Sequence, residues 1–156
     1  PWCRTLTQTV VREVAEAGDI VLLCARYEGV DERVSQALVT DEISIGAYVL
    51  SGGELPALVL VEAVSRMLPG VVGAWESVET DSFYADILGA PQYTRPAEFR
   101  GMEVPGVLRN GNHAAIRRWR RKQALRITQA RRPDLLHNLT EEDKELLAEI
   151  ERETAT

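Results

Sequence analysis

The sequence is poor in the residues that build metal cages and disulfide frameworks. Among its 156 residues are two cysteines and two histidines. Cys3 and Cys24 lack metal-ligand spacing, and neither His113 nor His137 has a companion at ligating distance along the chain. No metal site is therefore assigned, and the two thiols predict a reducing, cytoplasmic setting. No apolar run approaches the roughly 20 residues that a membrane-spanning helix needs. Pro1-Trp2-Cys3-Arg4 has neither an initiator methionine nor the shape of a signal peptide, so the natural chain is expected to extend upstream. Acids are also missing over one long stretch. Between Val104 and Pro133 there are nine Lys or Arg and no Asp or Glu, whereas Asp134 to Thr156 holds eight acids against two bases. A basic island in a chain of net charge −6 points to an anionic partner at one place.

What is present is the composition of a globular protein, 45% apolar and 27% charged, with length for one domain or one plus a small appendage. The organising stretch is Glu42 to Glu54. Ile43 and Ile45 read as a short buried strand, Gly46 as its break, and Ser51 with Glu54 as a capping box. A helix apolar on nearly every face follows from Leu55 to Leu68, ended by Pro69-Gly70. Upstream, Leu6, Val10, Val14 and Ala17 predict a helix stopped by Gly18. Ile20-Val21-Leu22-Leu23 lacks alternation, the mark of a strand covered on both faces in a parallel sheet. The polar stretch Arg26 to Val34 follows it, with a short helix over Asp31 to Leu38 capped by Asp31. The succession predicts a mostly parallel α/β sheet. Two strands alone rarely stand, so a partner chain or further strands must complete it.

Val71 to Leu88 reads as a linker, with the polar cluster Glu79-Thr80-Asp81-Ser82. Beyond the prolines 91, 96 and 105, Asn110-Gly111-Asn112 marks a turn. A helix is predicted from about His113 to Arg131, with an apolar stripe through Ile116, Trp119 or Gln123, and Ile127. A last helix spans about Thr140 to Glu153, opened by a box at Thr140 and Asp143.

Arg117-Arg118-Trp119-Arg120-Arg121-Lys122 carries five cations and an aromatic in six residues. Such a helix suits phosphate neutralisation along nucleic acid. The plainer alternative is a solvated face paired with the acidic tail. Asp81 is either a solvated linker acid or a functional one, and Glu62 with Arg66 reads locally as an i,i+4 ion pair.

Six motifs stand in order: Arg26-Tyr27-Glu28-Gly29, Ser44-Ile45-Gly46 with Tyr48-Val49-Leu50, Gly52-Gly53-Glu54, Asp81-Ser82-Phe83, Tyr93-Thr94-Arg95-Pro96 and Arg118-Trp119-Arg120. Together they resemble the bacterial tRNA (guanine-N1)-methyltransferases, over nearly the whole chain. The resemblance implies a trefoil-knotted (SPOUT-type) α/β domain, N-terminally incomplete, over 1–72, a linker over 73–88 and a helical tRNA-binding domain over 89–156. It implies S-adenosylmethionine as cofactor, magnesium for catalysis, and a homodimer acting on guanosine 37 of tRNA, with neither DNA nor membrane as partner.

By that resemblance Ala25, Tyr27, Glu28, Gly29, Ile45, Gly46, Ala47, Tyr48, Val49, Leu50, Gly52 and Gly53 line the cofactor. Asp81 is the general base, Arg66 the cation that steadies developing negative charge, and Glu28 the acid that helps place the base. Arg117, Arg118, Arg120, Arg121 and Lys122 are the expected tRNA contacts. The chain departs from the family pattern at Pro1-Trp2-Cys3-Arg4, where a Pro-Gln-Gly loop is usual, and at Ala25 and Ala47, where Gly and Asp are common. The competing readings are a non-catalytic tRNA-binding fragment and, more distantly, a helix-turn-helix DNA binder.

Overall fold

A computed structural model of the chain describes residues 3–73 and 81–154. It divides into two compact units, 1–75 and 76–156. In the first, Thr7 opens α1 (Gln8–Glu16) by accepting the Val10 N–H on its hydroxyl at 3.4 Å. Gly18, at φ 78, follows the helix end as the sequence predicts. Just ahead of α1 lies a strand that the sequence does not announce. β1 (Arg4–Thr5) pairs in parallel with β2 (Ile43–Ser44), Arg4 opposite Ile43 and Thr5 opposite Ser44. Two residues are too few to display a period. Arg4 is fixed on both sides by Glu13 at 2.7 Å and Asp41 at 2.8 Å.

The parallel pairing was expected, but of a different strand. Ile20-Val21-Leu22-Leu23 forms no strand, and Val21 is 95% exposed. An apolar run becomes a strand only where a neighbouring ladder takes up its N–H and C=O groups. Among the described residues none does, and β2 pairs with β1 instead. The short helix α2 (Glu32–Leu38) is as predicted, with Asp31 Oδ1 accepting the Arg33 N–H at 2.9 Å.

α3 (Glu54–Ser65) rests on α1 through a core of Val11, Leu60 and Val64, ringed by Leu6, Val14, Ile43 and Met67. Only one side of α3 is buried in this way. Leu55, Leu58, Val59 and Val61 stay exposed. The predicted capping box does not form: Gly53 is the N-cap, without a side-chain bond. A box needs its hydroxyl at the cap and its acid three residues on. Here Ser51 lies two residues before the cap, and Glu54 takes the first helical position.

The second unit is built on α4 (His113–Arg131) and α5 (Glu141–Thr154). Asn112 caps α4 by accepting the Ala115 N–H at 3.1 Å. Thr140 and Asp143 form the predicted reciprocal box: the Asp143 N–H donates to Thr140 Oγ1 at 3.2 Å, and the Thr140 N–H donates to Asp143 Oδ2 at 3.0 Å. The core joins Ile87, Ala124, Leu125, Leu146 and Ile150. The stripe expected through Ile116, Trp119 or Gln123, and Ile127 is only half-buried. The buried face runs through Ala124, Leu125 and Thr128. Its Thr128 is polar but satisfied, so counting apolar residues alone rotates the face.

The end of the expected linker is docked on this unit. Ile87 enters the core, and Thr128 Oγ1 accepts the Leu88 N–H at 3.0 Å while donating to the Ala124 carbonyl at 2.7 Å. Ser82 Oγ accepts the Gly89 N–H at 2.8 Å. Glu79 and Thr80 lie outside the described residues, as do Pro1, Trp2 and Trp75. A hairpin that the sequence reading missed, β3 (Glu98–Phe99) with β4 (Met102–Glu103), turns through Arg100 and Gly101, both at positive φ.

Candidate functional site

In the first unit the structure brings together two of the motif-bearing loops. The Gly53 N–H donates to the Ala25 carbonyl at 2.9 Å, and Arg26 bridges antiparallel to Gly52. Arg26 Nε donates to Glu54 Oε1 at 2.7 Å. Glu54's own backbone N–H, and then the Arg26 guanidinium, hold its carboxyl below the usual range. The approach is tight: a Cβ on Gly53 would lie 3.0 Å from Cys24 Cα and 3.2 Å from the Ala25 nitrogen. The need for glycine at 53 is thus set by the neighbouring loop. The sequence assigns Arg26 no role of its own and Glu54 only that of a capping acid. Opposite charges flanking two turn motifs were the available signal.

Around this clip the other candidates are solvent-facing. Tyr27, at φ 59, is 99% exposed, and Glu28 and Gly29 continue the loop. Ser44 Oγ accepts the Gly46 N–H at 3.2 Å and donates to the Gly46 carbonyl at 3.0 Å, closing the turn after β2. The Tyr48 ring lies over Gly46, where a Cβ would collide with it. Ile45 and Gly46 are half-buried, while Ala47, Tyr48, Val49 and Leu50 are exposed. Arg66 is the half-buried C-cap of α3.

The basic helix divides its cations into two groups. Arg118 pairs with Glu149, and Lys122 with Glu149 at 3.0 Å and Glu153 at 2.7 Å. Arg126, which the sequence reading left aside, pairs with Glu153. Arg121 grips Asp143 at 2.6 Å. The acids of α5 thus occupy one side of α4. Hydrogen bonds from Arg118 first, then Lys122, lower the Glu149 pKa to about 2. Arg117 and Arg120 are exposed and form no ion pair among the described residues. Both border a cleft of about 700 Å³ whose wall also includes Asp81, Ile87, Gln92 and Arg121. Asp81 itself is exposed, its carbonyl accepting the Tyr84 N–H at 3.3 Å. Arg66 and Asp81 belong to different units.

A glycine-turned α/β unit with two clipped loops is followed by a mainly helical unit that carries one short hairpin and an arginine-lined cleft. The family model described as tRNA (Guanine-1)-methyltransferase TrmD matches residues 1–138, and the chain belongs to this family. It is 57% identical over 154 residues to the tRNA (guanine-N(1)-)-methyltransferase of Moorella thermoacetica, covering 97% of this chain and 62% of that one. The enzyme of Desulforamulus reducens is 52% identical over 153 residues, with 97% and 60% covered. That of Serratia proteamaculans is 55% identical, with 100% and 62% covered. The chain therefore spans about three fifths of the length of the curated relatives it matches. Among the described residues no helix is long and apolar enough to cross a membrane.

Proposed function

We propose that the chain carries the methyl-transfer and RNA-binding parts of a cytoplasmic tRNA (guanine-N1)-methyltransferase acting on guanosine 37. The observation that carries the reading is the clip between the Ala25–Gly29 and Gly52–Glu54 loops, in a chain of this family. In the knotted fold that the family implies, these are the loops that wrap the cofactor.

The residues at the clip fit S-adenosylmethionine. Gly53 lets the two loops close on each other, and Gly46 and Gly52 add no side chain of their own to the surface beside them. Exposed Val49 and Leu50 offer apolar surface to a purine, and the Glu28 carboxylate suits a cationic sulfonium or amine. Ala25, Tyr27, Gly29, Ile45, Ala47 and Tyr48 complete the lining. When bound, the cofactor supplies a methyl group already activated by positive charge on sulfur.

The chain's own task is to make N1 of guanine nucleophilic. N1 carries a weakly acidic proton, and the Asp81 carboxylate removes it as general base. Negative charge then develops toward O6, where the Arg66 guanidinium stabilises it. Glu28 helps place the base, which must leave its stack to be reached. Arg117 and Arg120 supply phosphate contacts, while Arg118, Arg121 and Lys122 beside them are engaged by the acids of α5. A homodimer places Asp81 of one subunit at the cofactor of the other. The exposed apolar side of α3 supports that assembly. No group of three His, Cys, Asp or Glu suited to a metal occurs among the described residues, so no step is assigned to magnesium.

The test is methyl incorporation from labelled S-adenosylmethionine into a tRNA transcript with guanosine at 37. A transcript with adenosine there should stay unlabelled, and equal labelling of both would refute the assignment. A second reading, a non-catalytic tRNA-binding fragment, is favoured by one observation: Ile20 to Leu23 lies outside any ladder. Titration with S-adenosylmethionine separates the two, since the fragment would take up RNA but no cofactor.

A further inference from the structure

Tyr93-Thr94-Arg95-Pro96, a motif that carries the family resemblance, has no assigned role, and neither has Trp119 of Arg118-Trp119-Arg120. The fold brings them to one place. The Tyr93 and Trp119 rings lie 6.1 Å apart between centroids, tilted by 57°. Tyr93, Thr94, Arg95, Leu108, Arg109 and Arg120 together line a cleft of about 440 Å³.

The charges of this cleft set it apart within the second unit. Arg118, Arg121, Lys122, Arg126 and Arg132 are all committed to carboxylates. Arg95 and Arg120 have no ion pair among the described residues, and Arg109 has a long one, 3.7 Å to exposed Glu103. Three guanidinium groups thus share one concavity that no carboxylate lines. Like charges gathered this way raise the local potential for an anion. Tyr93 is 47% exposed, leaving its ring free to take a flat partner. Pro91, Ala97, Val104 and Leu108 give the cleft an apolar wall. Its volume lies within the roughly 300–1,000 Å³ of small-ligand sites.

We propose that this cleft is a subsite for one unpaired nucleotide of the RNA, its phosphate between Arg95 and Arg120 and its base against Tyr93. Cations beside an exposed aromatic are the chemistry that recognises splayed, single-stranded bases. The nucleotide held here is not the methyl acceptor, because the cleft offers no carboxylate to take a proton from N1. Arg120 also borders the cleft that contains Asp81, so a phosphate on it fixes the strand next to that acid. The inference rests on the RNA-binding reading and narrows it to a place.

The probe is pentauridylate, an unstructured oligonucleotide without guanine, titrated against the full chain by fluorescence and at several salt concentrations. Arg95→Ala and Tyr93→Ala should each weaken binding about tenfold, in line with one lost phosphate or stacking contact. Arg95→Ala should also lower the log–log salt slope by about one, whereas Tyr93→Ala should leave it unchanged. Tyr93→Phe should bind like the parent. Lys144→Ala, on the far helix and paired with Glu141, is the control. Arg95 is exposed, so its removal tests the site even if Tyr93→Ala fails to fold. Equal affinity across all variants, or no binding by the parent chain, overturns the proposal. Intact binding with the stated losses but no methyl transfer would overturn only the enzymatic reading.

Discussion

Arg121 holds Asp143 through two parallel hydrogen bonds, Nε to Oδ1 at 2.6 Å and Nη2 to Oδ2 at 2.9 Å. The carboxylate is 1% exposed and also accepts the Thr140 N–H at 3.0 Å. One acid therefore closes the start of α5 and fastens it to α4. Arg121→Ala would leave that buried charge with its Thr140 contact alone, at an expected cost of about 3 kcal/mol. Arg121→Lys keeps the charge but loses the fork, and should fall between parent and Ala. Urea unfolding followed by far-UV circular dichroism checks both. A loss below about 1 kcal/mol for Arg121→Ala would mean that the pair is peripheral to folding.

The same contacts set an acid limit. The Arg121 hydrogen bonds chiefly, then those from Thr140, bring the Asp143 pKa from 3.8 to about 2, and Glu149 falls from 4.5 to about 2. In the unfolded chain both take up protons at their ordinary values. Their contribution is therefore fully present above about pH 5 and is lost as the pH falls through 4 toward 2. The urea midpoint should decline across that window. Asp143→Asn should start lower and decline less steeply; an identical slope would remove Asp143 from the account.

Phosphate contacts are expected where cations lack carboxylate partners. Arg117→Ala with Arg120→Ala should lower the salt slope of tRNA binding by about two. Arg118→Ala, which removes a residue already paired with Glu149, should lower it by less. Filter binding between low and moderate salt decides this, and equal effects would show that the ion pairs open on binding.

Gly53→Val should break the loop clip by driving its side chain into Cys24 and Ala25. The Gly53 amide should then exchange with solvent faster, S-adenosylmethionine binding should be lost, and tRNA binding should persist. Unchanged cofactor affinity in a variant with an open clip would place the cofactor elsewhere.

Asp81→Ala should leave stability within about 0.5 kcal/mol, since the side chain is exposed. As the general base, its loss should slow methyl transfer by roughly 100-fold or more. A heterodimer of Asp81→Ala and Gly53→Val subunits should regain one working site. Full activity of the Asp81→Ala homodimer would exclude the assigned base.

Local signals made the helices legible. Asp31, Asn112, and Thr140 with Asp143 are short-range caps, and each sits at its expected helix start. What needed the third dimension stayed hidden. Arg4-Thr5 is a strand because Ile43-Ser44 pairs with it, and Ile20 to Leu23 is none because no ladder among the described residues takes it up. Thr128 joins the core through partners that hydropathy does not count. At the candidate site, motif order named the loops, whereas the Arg26–Glu54 contact and the pairing of Arg118, Arg121 and Arg126 with the acids of α5 required coordinates.

The β1–β2 ladder also bears on the order in which the chain acquires its structure. Arg4 reaches Asp41 across 37 positions, whereas Arg121 reaches Asp143 across 22, between two helices that form locally. Closing the longer loop costs chain entropy before any ladder bond repays it, and parallel pairing offers no hairpin to zip from. After dilution from denaturant, helix content of the second unit should return in an early phase and protection of the Leu6 amide, bonded to Ser44, in a later one. Leu55, Leu58 and the Ile20–Leu23 run stay exposed even after the ladder has closed, so yield on refolding should fall as protein concentration rises.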